Sequence, residues 1–88
     1  MKVKLLGPFK DLANTYDVEI DCVDLEDLIR RLIEKYGRPF EEKIMKDGEL
    51  NKSSIIVVNG RIVTNMNELQ KRLKKEDQVT FLTMTVGG

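Results

Sequence analysis

Between Val23 and Pro39 the chain carries one continuous apolar stripe. Leu25, Leu28, Ile29, Leu32, Ile33 and Tyr36 recur at three- and four-residue intervals, the spacing of one helix face. Asp24 is a good N-cap, Glu26 and Asp27 suit the positive end of the helix dipole, and Val23 can staple against Leu28. Gly37 supplies a left-handed stop, which Pro39 reinforces. On the polar side, Glu26–Arg30 and Asp27–Arg31 read as exposed four-apart pairs, each stabilising by a few tenths of a kcal/mol. They decorate a solvated face.

Around this helix the pattern changes to period two. Lys2, Val3, Lys4 and Leu5 alternate until Gly7-Pro8, after which residues 9–13 suit a helical turn. A second alternation sets Val18, Ile20 and Cys22 on one side and Asp17, Glu19 and Asp21 on the other, which turns Cys22 inward as a small hydrophobe. Residues 40–46 read as a short helix with Phe40 and Ile44 facing the core, ended by Asp47-Gly48 and followed by a polar stretch. Ile55-Ile56-Val57-Val58, the turn pair Asn59-Gly60 and Arg61-Ile62-Val63 form a hairpin. Met66, Leu69 and Leu73 share one side of a short helical piece, and Gln78 to Thr85 alternates as the last strand. Strand, strand, helix and three more strands predict an α+β domain, one mixed sheet with a helix across one face.

Composition narrows the function. Eighty-eight residues make one domain, with 41 % hydrophobic residues for a modest core and 34 % charged residues for a solvated surface. Fifteen basic residues balance fifteen acidic ones, so no basic excess exists to bind nucleic acid or an anionic membrane. Cys22 is the only cysteine and there is no histidine, which removes the disulfide, the commonest metal ligand and the commonest general base. No apolar run has the length of a membrane span or a signal-peptide core. A cytoplasmic protein that is not itself an enzyme, and that holds no metal, is the expectation.

The motifs that could carry chemistry are few. Asp17, Glu19 and Asp21 spread along a solvent face without ligand geometry, and Lys71 to Lys75 has no interleaved aromatics to stack bases. The last strand says more. With Val79 and Phe81 toward the helix, Thr80, Leu82 and Met84 point to the open side of the sheet, beside Leu6 of the first strand. That apolar patch leads directly into Val86-Gly87-Gly88.

Val3-Lys4-Leu5-Leu6-Gly7-Pro8-Phe9 with Asp11-Leu12-Ala13, the hairpin Val57-Val58-Asn59-Gly60-Arg61, and Leu73 through the terminal Gly-Gly together resemble the small, sulfur-carrying subunit of molybdopterin synthase. The chain departs from that family at Lys75-Glu76-Asp77, where Asp-Gly-Asp is common, and at Thr83-Met84, where a proline is frequent. The resemblance implies the ubiquitin-like β-grasp, a five-stranded mixed sheet whose first and last strands are central parallel neighbours. It implies that a partner resembling the ubiquitin-activating enzymes adenylates Gly88 with ATP, and that a sulfur donor then makes a thiocarboxylate. The sulfur goes to a pterin precursor on the large synthase subunit, forming the dithiolene that binds molybdenum or tungsten. Catalytic residues then sit on the partners, and no cofactor is bound by the carrier, a monomer when free and a hetero-oligomer with the large subunit. Val86 and Gly87 complete a flexible tail, residues 86–88, whose glycines pass a narrow channel because they lack side chains. Leu82, Met84, Leu6 and Phe9 form the docking surface. Two alternatives stand beside this: a ubiquitin-like modifier joined to lysines through Gly88, and a β-grasp binding module whose Gly-Gly is incidental. The thiamin-pathway carrier shares the tail but lacks the Gly-Pro-Phe opening.

Overall fold

Strands from the two ends of the chain lie side by side at the centre of the sheet in the computed structural model, which describes residues 1–63 and 65–84 (for Met66 the backbone alone). β1 (Lys2–Leu5) runs parallel to β7 (Gln78–Thr83), in register from Lys2 opposite Gln78 to Leu5 opposite Phe81. β2 (Asp17–Glu19) pairs antiparallel with the other side of β1. β5 (Ser54–Val58) pairs antiparallel with β7, and β6 (Arg61–Ile62) returns along β5 to complete the order β2-β1-β7-β5-β6. This is the mixed five-stranded sheet of the ubiquitin-like β-grasp, and the Asn59-Gly60 turn has the positive φ angles, 50° and 83°, of the primed hairpin turns. Thr85, where the last alternation was expected to end, lies outside the described residues.

α2 (Leu25–Tyr36) begins at Asp24, whose side chain accepts the Asp27 N–H, and ends where the Gly37 N–H donates to Ile33 O. Its Leu25, Leu28, Ile29 and Leu32 share one core with Val3, Leu5, Ile56, Val79 and Phe81 from the sheet. Two shorter helices close the core, α1 (Pro8–Ala13) with Phe9 and α3 (Arg38–Ile44) with Phe40 and Ile44. Phe9, Phe40 and Phe81 meet there with ring centroids 5.1 to 6.0 Å apart in tilted and edge-on pairs. Such pairs add about 0.5–1.5 kcal/mol each beyond the area they bury.

Four local readings change. Phe9 is fully buried and is not part of a docking surface. Gly7, at φ 58° and ψ −133°, turns the chain sharply into α1, so the inside-outside alternation of β1 does not extend past it. Asp47-Gly48 does more than end a helix. Both residues have positive φ, and they join β3 (Met45–Lys46) to β4 (Glu49–Leu50) in a two-residue hairpin. Met66–Gln70 is a 3-10 helix that buries Leu69, whereas Leu73 lies beyond it, its N–H on Val23 O at 3.0 Å.

The fourth change concerns Asp27, which is only 8 % exposed. It bonds both Arg30 and Arg31, the second at 3.1 Å, and accepts the Val23 N–H at 2.9 Å. Arg30 therefore pairs with Asp27 and not with Glu26. Val23, the expected staple, stays 54 % exposed and serves the helix start through its backbone.

The Val23 N–H, helped by the two guanidinium groups, lowers the Asp27 pKa from 3.8 to about 2. A carboxylate whose folded pKa is depressed stabilises the fold above its unfolded pKa, and that contribution is lost as the pH falls through the folded value. The melting temperature of Asp27→Asn should therefore lie below that of the parent at pH 6. Thermal melts should show the gap closing as the pH falls from 3.8 to about 2. A gap that stays constant across this window would assign the effect to packing.

Candidate docking face and tail exit

The face of the sheet turned away from α2 can be read row by row from the strand register. Lys2 lies between Glu19 and Gln78. In the next row Asp17, Lys4, Thr80, Val57 and Ile62 lie side by side. Beyond them Leu82 lies opposite Ile55, and Leu6 continues β1 beside it, its N–H donating to Phe81 O at 2.9 Å. One corner is thus a checkerboard of lysine and carboxylate. The opposite corner is apolar and adjoins the end of β7.

This places the sequence-derived docking residues as follows. Leu82 is half-buried, Leu6 is 38 % exposed and Met84 is 54 % exposed, all at the apolar corner, while Val79 and Phe81 are fully buried on the other side of β7. Phe9 leaves the set. Ile55, Val57 and Ile62 join it, and Ile62 is 54 % exposed. The run Ile55-Ile56-Val57-Val58 held the signal for the first two, since alternation must divide four apolar residues between two faces. Val86, Gly87 and Gly88 lie outside the described residues.

The last described link of β7 is the Met84 N–H, which donates to Ser53 O at 2.7 Å. On its other flank β7 runs beside the Gly7 turn, where a Cβ on Gly7 would stand 3.7 Å from Thr83 Oγ1. The chain therefore leaves the sheet between two loops, next to the apolar corner.

Burial, with the nearby Asp27 carboxylate, pushes the Cys22 thiol above its ordinary pKa, which makes it a poor nucleophile. Among the described residues, no three of Cys, Asp and Glu converge as metal ligands, and no helix is long and apolar enough to cross a membrane. A groove of about 560 Å³ lies along α2, floored by Ile29, Ile33, Met45 and Leu69, away from the open face.

The model of the ThiS family matches residues 3–88. The chain belongs to the ThiS family. It is 34 % identical over 77 residues to an Archaeoglobus fulgidus protein assigned as a sulfur carrier, covering 85 % of this chain and 88 % of the relative. Among solved structures it is similar to small archaeal modifier protein 1 of Methanosarcina acetivorans, with 26 % identity, a TM-score of 0.84, and 99 % and 94 % of the two chains covered. It is also similar to a Pyrococcus furiosus protein assigned as subunit 1 of a molybdopterin converting factor, with 27 % identity, a TM-score of 0.75, and 96 % and 95 % covered. Members of this ThiS-type sulfur-carrier family are small carriers and not catalysts in their own right.

The assignment of faces can be checked in the isolated domain. Phe81→Ala should destabilise the fold by about 3–5 kcal/mol through a core cavity. Leu82→Asp, at a partly buried site on the open face, should cost less, on the order of 1 kcal/mol. Denaturant titrations of both variants measure the difference, and the reverse order would invert the two faces of β7.

Proposed function

We propose that this ThiS-family carrier works through the carboxylate of Gly88, which is adenylated and then thiocarboxylated to donate sulfur for building the molybdopterin of the molybdenum or tungsten cofactor. The observation that carries the reading is the apolar corner at the end of β7, where the exposed Leu6 and Met84 flank the partly buried Leu82, shortly before Val86-Gly87-Gly88 in the sequence. A docking surface next to an extendable glycine end lets the folded body bind outside a partner while the terminus enters its active site.

The chemistry then belongs to the partners. An adenylating enzyme of the ubiquitin-activating kind positions ATP, and a Gly88 carboxylate oxygen attacks the α-phosphorus, releasing pyrophosphate and forming an acyl-adenylate. A hydrosulfide equivalent from the sulfur donor adds to the acyl carbon, and AMP leaves with the bonding pair of the C–O bond. The product is a thiocarboxylate, whose sulfur is a soft nucleophile. The large synthase subunit would hold the pterin acceptor and the residues that move protons. The similarity to the P. furiosus protein supports the molybdopterin branch.

A second reading rests on the similarity to the M. acetivorans modifier, which spans 99 % of this chain. The lysine amine of another protein would then attack the acyl carbon of the same adenylate, AMP leaving with the C–O bonding pair as the isopeptide forms. Both readings use one activated end and differ only in the acceptor.

Intact-mass spectrometry of the protein from its native host should show one terminal oxygen replaced by sulfur. With ATP and the host's adenylating enzyme, it should support pyrophosphate exchange that disappears when Gly87-Gly88 is deleted. Undiminished exchange after that deletion would overturn the reading. Conjugates that survive denaturation, without the thiocarboxylate mass, would favour the modifier. Leu82→Asp should weaken binding to the adenylating enzyme by about 2 kcal/mol, the loss expected for a central apolar anchor.

A further inference from the structure

We infer that Asn59 is a latent deamidation site, held closed by a clasp between its carboxamide and Asp77-Gln78 at the start of β7. The inference stands apart from the sulfur-carrier reading. Asn59-Gly60 is the one Asn-Gly step in the sequence. Asparagine is thermolabile, and a following glycine has no side chain to hinder its own amide nitrogen. That nitrogen can attack the Asn59 carboxamide carbon, Cγ, and close a succinimide. The new C–N bond replaces the bond to Nδ2, which leaves as ammonia with the bonding pair and the proton given up by the Gly60 nitrogen. Water then opens the imide at either carbonyl, leaving aspartate or isoaspartate at position 59. The pair that makes a good primed turn is thus also a chemical liability, and both residues are exposed.

The hydrogen bonds around Asn59 restrain it. β5 and β7 pair through Val58 opposite Val79, and the Asn59 N–H donates to Gln78 O at 2.9 Å as the ladder bond beyond that pair. In a continuing antiparallel ladder the Gln78 N–H would return the bond to the Asn59 backbone carbonyl. The chain instead turns at Asn59, at φ 50°, and the side-chain Oδ1 takes that place, accepting the Gln78 N–H at 2.9 Å. The other end of the carboxamide is taken as well, Nδ2 donating to Asp77 Oδ1 at 2.9 Å. Asp77 is itself fixed. Its Oδ2 accepts the Lys74 N–H at 2.6 Å, and its own N–H donates to Lys74 O at 3.0 Å.

Attack on Cγ requires the carboxamide to turn onto the Gly60 nitrogen and to release Nδ2. Pinned at both Oδ1 and Nδ2, it can do neither without breaking a bond to Asp77 or Gln78. Misplacing a reacting group by about 1 Å can cost up to 10²-fold in rate, so the folded chain should deamidate far more slowly than the unfolded one. The product bears on the same clasp. A carboxylate at position 59 has no donor for Asp77 and repels it, so the hairpin that carries Arg61-Ile62 loses this tie to the start of β7.

The test incubates the folded parent, the parent in urea, Asp77→Ala and Asp77→Asn at mildly alkaline pH. Conversion of Asn59 is followed by peptide mass and isoaspartate content. Asp77→Ala should convert Asn59 at least about tenfold faster than the folded parent while its core amides stay protected from hydrogen exchange. Asp77→Asn keeps one acceptor oxygen and should fall between the two. A folded parent that converts as fast as the chain in urea overturns the clasp, a comparison that holds whether or not Asp77→Ala folds. So does a folded Asp77→Ala that converts at the parent rate. In urea, conversion at Asn59 no faster than at the other asparagines overturns the liability itself. The deamidated protein, separated by its added negative charge, should melt below the parent, and equal melting overturns the tie between hairpin and β7.

Discussion

The parallel pairing of β1 with β7 is the constraint on which everything else depends. Val3, Leu5, Val79 and Phe81, from the two ends of the chain, are all fully buried on the inner face of these two strands. Bringing them together closes a loop of almost the whole chain, a cost that grows only slowly with loop length. Burying both central strands recovers it through the apolar area removed from water. The pairing also decides where function can lie. A central strand that belongs to the end of the chain delivers the residues after it to one corner of the domain, beside whatever its neighbours expose there. The neighbours are Leu6 on one flank and Ile55 with Ser53 on the other.

Much of this was legible before any coordinates. α2 was legible because its stripe, cap and glycine stop all agree, and three independent signals at one place leave little room for another structure. The Asn59-Gly60 hairpin was legible because few residues tolerate positive φ twice in succession. The alternation of β7 sorted Val79 and Phe81 from Leu82, and with them the two faces of the sheet.

The misses have equally local causes. Phe9 was placed on the docking surface through the family resemblance, whereas α1, which begins at Pro8, turns its ring into the core. The β3–β4 hairpin has two residues per strand, too few for any alternation to show around Asp47-Gly48. The partners of Asp27 depended on whether a helical carboxylate reaches three residues onward or four, and it reaches both.

A carrier of this kind has to reconcile a rigid body with an end that another protein must be able to handle. The open face has two unlike corners. Where β2 meets β1, Glu19 faces Lys2 and Asp17 faces Lys4, so that corner presents alternating charge with no net sign. Such a pattern orients a partner more than it attracts one. Apolar groups gather instead at the end of β7, where burial against a partner would contribute most of the affinity and would do so beside the departing chain. On the proposed reading, docking energy and the reactive terminus are separated by only a few residues of the sequence.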